Sequence, residues 1–277
     1  MNNFENQGSA GEETIQKQIQ DSARLHIDPE KIAYDEGSID ENTMAVIMDV
    51  MPENYQVLEK LGPNSLIDGN VLLADIPDLQ LEQNTIYTKN VNLIRCDGLE
   101  AIPEGSVFAK VDKNDRTSYI LNIQKCKNLK QLASRSMFDY KVTVSDCPSL
   151  TSLGQNNIFQ DMVKISNCSE MREIEDNTTF RSSVILENLD NFESIGDNIS
   201  LSGGIEVSNC PNLKSIDKHI RLGDKVVIKN CPNLTNISQD VIFTEGTSIE
   251  IDNIDQFNSQ TKEMLQALET KGLIQII

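Results

Sequence analysis

The sequence has no tryptophan, two histidines and an aromatic share of 5% in 277 residues. With 38% apolar residues, the core it can build is aliphatic. Cations are scarce too: Lys+Arg number 24 against 43 Asp+Glu, a net charge of −19. Nucleic acid and anionic membranes both need a basic footprint, so neither is an expected partner. The acidity is densest at the start, where residues 1–70 carry 14 acidic and 4 basic side chains, against 29 and 20 in residues 71–277. No stretch approaches the roughly 20 consecutive apolar residues of a spanning helix, so no membrane insertion is expected. The opening segment, 1–30, lacks a basic n-region and an apolar h-region, which argues against a Sec signal peptide. Reduced thiols are therefore expected for the six cysteines. Asn-x-Ser/Thr matches, Asn177 and Asn233 among them, are expected by chance in a chain with 27 Asn.

Catalytic patterns are missing as well. There is no G-x-S-x-G, P-loop, H-E-x-x-H or G-x-G-x-x-G. Even the cysteines nearest in sequence, such as Cys126 and Cys147, stand too far apart for a zinc site built on close Cys pairs. "DKNDRT" (112–117) lacks the glycine and terminal Glu of a calcium loop. "LSGGIE" (201–206) places a Gly pair where a turn enters a strand and needs no phosphate to explain it. The sequence thus points to no catalytic residue, no metal and no cofactor.

What is present is a period. The cysteines stand at 96, 126, 147, 168, 210 and 231, with spacings of 30, 21, 21, 42 and 21. Leu189 occupies the midpoint of the double step. Once about nine extra residues between Cys96 and Cys126 are allowed for, every cysteine falls on one phase of a 21-residue repeat. Five and three residues before each stand apolar pairs such as Val163/Ile165 and Ile205/Val207; three and six after it stand Leu150/Leu153, Met171/Ile174 or Leu213/Ile216. A large apolar residue follows at twelve: Phe108, Phe138, Phe159, Phe180, Leu201, Leu222, Phe243. Degenerate copies begin at Val71 (anchor Ile76) and Ile249 (anchor Ile254), giving about nine units. Period-2 alternation of branched residues predicts a strand at the start of each unit. A unit this short cannot bury its apolar side alone, so the copies are expected to stack into a solenoid.

These residues resemble the leucine-rich repeats, in a cysteine-containing 21-residue variant. The match is L-x-x-L-x-L-x-x-[N/C], with Val163, Ile165 and Cys168 in its last three fixed places. The resemblance implies an α/β leucine-rich-repeat solenoid: a curved parallel sheet on the concave face, short turns or 3₁₀ segments on the convex face, and helical caps. It also implies use in protein–protein contact rather than catalysis, without fixing a partner.

The organisation expected is an acidic, disordered tail over 1–40, a helical cap over 41–70, the repeat array over 71–256 and a helix–strand cap over 257–277. In the first cap, Met44, Ile47, Met48 and Met51 stand at helical spacing, and Pro52 suits the start of a second helix ending at Gly62-Pro63. In the last, 259–272 reads as a helix with Met264, Leu265 and Leu268 on one side and Gly272 at its C-cap, followed by a strand in "LIQII". Both ends then look capped, as in a whole solenoid. The wider gap between Cys96 and Cys126 puts an insertion at 109–118, a loop that could itself bind.

On a strand, residues between the buried ones face the other side. The expected partner-binding set is therefore Arg95, Gln124, Lys125, Asp146, Lys164, Asn167, Glu187, Asn188, Glu206, Asn209, Lys229 and Asn230. Its mixed charge suits a protein partner. The expected function is a monomeric, non-enzymatic scaffold. Its acidity, Asn content and polar start resemble repeat-only bacterial effectors exported into host cells by a specialised, non-Sec system. An adaptor, including a ligase-substrate adaptor, working inside its own cell is the alternative.

Overall fold

A computed structural model describes residues 45–46, 49–53, 55–59, 62–63, 65–110, 116–216 and 219–276. The chain winds through parallel turns that follow the sequence repeat, and each turn visits three faces. The long face is a ten-stranded parallel sheet running from Val71–Ala74 through Val163–Ser166 to Ile274–Ile276. The aromatic face is a second ten-stranded sheet of two-residue strands, from Ala45–Val46 through Ile158–Phe159 to Ile242–Phe243. A narrow face of four strands, Glu173–Ile174 to Asn236–Ile237, lies between them in chain order.

Register follows from the repeat. Val163 aligns with Val142 and Val184, and Ile165 with Val144 and Leu186, so like residues stack on like. The insertion leaves this intact, for Val91 still aligns with Leu121 and Asn92 with Asn122. On the long strands the burial pattern alternates: Val91 and Leu93 are buried while Asn92 and Ile94 are half-exposed. The anchors Cys96, Cys126, Cys147, Cys168, Cys210 and Cys231 are all buried. After each anchor the chain turns by an i→i+3 bond: Leu150 N–H donates to the Cys147 carbonyl and Leu213 N–H to that of Cys210. That bond is why an apolar residue recurs three places on. Pro148 and Pro211 sit just after the anchor, where a β-turn favours proline.

Four expectations need correction. The fold is a β-solenoid rather than α/β: its described helices are Gln56–Glu59 and Ser259–Thr270. The faces away from the long sheet are strands rather than loose turns or 3₁₀ segments, because equal turn lengths bring every backbone row within reach of the next. Among the described residues the 3₁₀ segment is Ile254–Gln256. The stretch 42–51 was expected to be helical, yet Ala45–Val46 pairs with Leu66–Ile67 and Val50 bridges to Val71. It contributes an extra turn, and Val50 is fully buried in the core. Finally, the anchor Ile254 is 37% exposed; Phe257 is buried beside the core instead, and the Gln256 amide donates to the Cys231 carbonyl.

The last element closes the narrow face. Asn258 N-caps the helix Ser259–Thr270, accepting from Thr261 N–H at 2.8 Å. The Thr261 hydroxyl accepts from Ile237 N–H at 3.1 Å and reaches its carbonyl at 3.3 Å. Leu265 is buried and Met264 and Leu268 pack against the core. The expected tail (1–40) lies outside the described residues, as does the middle of the insertion (111–115).

Candidate functional site

The twelve residues singled out by alternation divide into two rows. Gln124, Lys164, Glu187, Glu206 and Lys229 lie on the outward side of the long sheet, each half-exposed within a strand. Arg95, Lys125, Asp146, Asn167, Asn188, Asn209 and Asn230 form the second row, one residue before each anchor, at the corner where the long strand ends. They do not share the sheet surface.

The corner has a backbone requirement. Arg95, Lys125, Asp146, Asn167, Asn188, Asn209 and Asn230 all have φ between 51° and 57°. Asn and Asp tolerate this left-handed region best among residues with a side chain. The twist aims each N–H at the next turn: Asn188 N–H donates to the Ser208 carbonyl at 3.0 Å and Asn209 N–H to that of Lys229 at 3.0 Å. The carboxamides bond to one another as well. Asn167 donates to Asp146 (3.0 Å), Asn188 to Asn167 (2.9 Å), Asn209 to Asn188 (2.8 Å) and Asn230 to Asn209 (2.9 Å). Asparagine recurs here because it bends the chain and stitches the turns. Replacing Asn188 by Gly keeps the bend and loses the stitch, whereas Ala loses both. We expect Asn188→Ala to be less stable than Asn188→Gly by about 1–2 kcal/mol in chemical denaturation. Equal stabilities would remove the conformational argument.

A second observation concerns the thiols. The Cys168 sulfur lies 3.4 Å from the Ser166 carbonyl and Cys126 lies 3.5 Å from that of Gln124. Burial pushes the Cys168 thiol up to about 11. A hydrogen bond with Cys147, then burial, holds Cys126 at about 11, and the contact with Cys231 raises Cys210 further. These three thiols, held protonated, are poor nucleophiles and pack as small apolar groups, while the hydrogen bond from Cys210 lowers its partner Cys231. Among the described residues no three His, Cys, Asp or Glu side chains gather as a metal site. His219 occupies another left-handed corner, with φ 56°, and His26 is outside the described residues.

The sheet surface carries the remaining chemistry. At its early end Asn122 donates to Asn92 at 3.2 Å, and accepts from Thr143 at 2.8 Å and Gln124 at 3.2 Å. Further along, Lys164 pairs with Glu187 at 3.0 Å. At the far end Glu250 accepts from both Lys225 and Lys229 at 2.8 Å, and those two ammoniums hold its carboxyl at about 2. Alternation places Glu250 on this outward face, at its acidic end, whereas Lys225 was missed. Lys225 immediately precedes the buried Val226, so the same alternation carried one step upstream reaches it. Beside this surface, on the corner, an open groove of about 580 Å³ is lined by Asp75, Arg95, Asp97, Lys125, Lys127 and Asp146, with Pro77 and Pro148. Arg95 is committed to Asp75 at 2.5 and 2.6 Å, lowering that carboxyl, and Lys127 to Asp97 at 3.2 Å.

The structure is that of a parallel β-solenoid repeat protein. Comparison with protein-family models, curated proteins and solved structures finds no match to the chain. Among the described residues no helix is long and apolar enough to cross a membrane.

Proposed function

We propose that the protein is a non-enzymatic interaction scaffold of leucine-rich-repeat type, which binds a protein partner on the outward surface of its long sheet. One observation carries the reading: the inward rows keep an apolar branched residue at every turn, while the first outward row changes at each, through Thr143, Lys164, Ile185 and Glu206. Inward stand Val142/Val144, Val163/Ile165, Val184/Leu186 and Ile205/Val207. Outward, the same turns show Thr143/Ser145, Lys164/Ser166, Ile185/Glu187 and Glu206/Ser208. A constant frame with a varied, mixed-charge surface is suited to recognising one protein among many through hydrogen bonds and ion pairs. The cysteine at the last fixed place of the repeat, bonded to strand carbonyls, supports the leucine-rich-repeat assignment.

The corner asparagines are taken up by their own ladder, so the sheet residues Gln124, Lys164, Glu187, Glu206 and Lys229 carry recognition, joined by Lys125 at the groove. Charge reversal at Lys125, Glu187 and Glu206 together abolishes capture of the partner and leaves the circular dichroism spectrum unchanged. Retained capture would move the binding site off the long sheet. The acidic composition and polar start favour a bacterial effector delivered into a host cell by a non-Sec route. A translocation assay with residues 1–40 fused to a reporter tests that step, and absence of export would leave an adaptor acting in its own cell.

A further inference from the structure

The outward row of the aromatic face contains a buried apolar cluster that the solenoid core does not explain. In Val107–Phe108, Met137–Phe138 and Ile158–Phe159, the phenylalanines point inward and belong to the main core. Their neighbours therefore face out. Further along the same row, Arg221 and Ile242 are exposed, Ile242 by 51%. Yet Val107, Met137 and Ile158 are 3%, 5% and 7% exposed, and Ala109, on the same side, 4%. Together they form a cluster separate from the core, with Ile86 packed against it among the described residues. Asp139, also on this side, has its carboxyl raised by burial. Outward side chains this dry need a cover.

We propose that the cover is the N-terminal segment of this same chain, seated through Ile15, Ile19, Ala23 and Ile27. Three facts favour it. The four residues stand at i, i+4, i+8 and i+12, the arrangement that lines one face of a helix. The chain enters the described structure at Ala45–Val46, which is itself the edge strand of the aromatic face. From there Leu66–Ile67 and Ile86–Tyr87 lead to Val107–Phe108, three strand spacings or about 14 Å away. The connection from Ile27 to Ala45, drawn out, covers several times that reach. The insertion is another segment near in sequence to Val107 and Ala109, but residues 111–115 read VDKND, one apolar residue against four apolar side chains to be covered.

The seat lies on a different face from the proposed partner surface and stands or falls independently of it. The test uses the full chain with Ile19→Cys carrying a benzophenone photo-crosslinker. The six native cysteines are buried, so native labelling selects position 19. Illumination is expected to join residue 19 to the peptides holding Val107, Met137 or Ile158 within one molecule, as read by mass spectrometry. Adding Ile15→Glu and Ile27→Glu is expected to cut that yield about tenfold, the effect of removing roughly 1.4 kcal/mol of docking. The same label at Asn3 should give no such adduct. Crosslinks scattered over other faces, no crosslinks, or a yield indifferent to the Glu pair would overturn the proposal. Adducts between molecules that grow with concentration would overturn it too, assigning the seat to a second copy.

Discussion

Phe159→Ala is expected to cost about 3–5 kcal/mol of stability, among the largest losses any single truncation of this core should produce. Phe159 is fully buried and lies in the middle of an aromatic stack. Its ring centroid is 4.6 Å from that of Phe138 at 8° and 4.9 Å from that of Phe180 at 4°. The stack continues through Phe108, 5.2 Å from Phe138, to Tyr87, 4.8 Å from Phe108. Truncation removes two ring–ring contacts, worth about 0.5–1.5 kcal/mol each beyond burial, and opens a cavity between two turns. Those turns cannot close on it, since their backbones are fixed by strand bonds on both sides. In a solenoid each turn contacts its neighbours, so a gap at mid-stack also weakens the coupling of the two halves. Chemical denaturation should therefore show both a lower midpoint and a shallower transition. A loss under about 1 kcal/mol would mean that the stack relaxes around the gap.

The stack shows how far the sequence could be read. Phe108, Phe138, Phe159 and Phe180 were identifiable as inward residues from their place twelve after each anchor. That each begins or ends a short strand was not legible, because two residues carry no alternation. Their pairing comes from equal turn lengths, a property of the stack and not of the segment. The extra turn at Ala45–Val46 was legible in principle. Val46 stands one full repeat before Ile67, and Val50 one full repeat before Val71. The helical spacing of Met44, Ile47, Met48 and Met51 masked this, since a few apolar residues fit both periods. The far end departed for the converse reason: Ile254 keeps the anchor's place in sequence, but the strand beyond, Ile274–Ile276, aligns only with Thr247–Ile249 and stops short of it, and the chain forms a 3₁₀ segment that presents Phe257.

The candidate site divides along the same line. Gln124, Lys164, Glu187, Glu206 and Lys229 were placed outward by alternation, and they are. The asparagine corner was read as surface for a partner because a recurring exposed Asn has two meanings, recognition or a left-handed bend. A φ near 55° and a neighbouring side-chain oxygen at 2.8–3.0 Å give the recurrence a conformational reason, and neither is written in the residue type. Arg95 and Lys125 hold the same bend without the amide's advantage. That these two and Asp146 line the open groove is consistent with residues kept there for what they touch.

Among the described glycines that a Cβ would crowd, Gly154 has the nearest backbone atom. Its φ is +83°, and a Cβ built there would stand 1.7 Å from the Ala133 carbonyl oxygen. That oxygen cannot step aside cheaply, because it accepts from the buried Asn157 amide at 2.6 Å. The same amide donates to the Leu153 carbonyl at 2.9 Å, and its oxygen accepts from Ser136 N–H at 3.0 Å. On the other side the Thr178 hydroxyl lies 3.5 Å from the Gly154 carbonyl. A methyl group at 154 must therefore displace a carbonyl tied into a buried polar network spanning three turns. The left-handed backbone alone costs an alanine about 1–2 kcal/mol. Disturbing one buried hydrogen bond adds about 1–3 kcal/mol. Gly154→Ala should thus lose about 2–5 kcal/mol. Gly246→Ala, with a φ of +83° and no atom within 4 Å of the added carbon, should lose only the backbone part. Comparing the two by denaturation separates conformational strain from steric conflict; equal losses would show that the Asn157 network yields without cost.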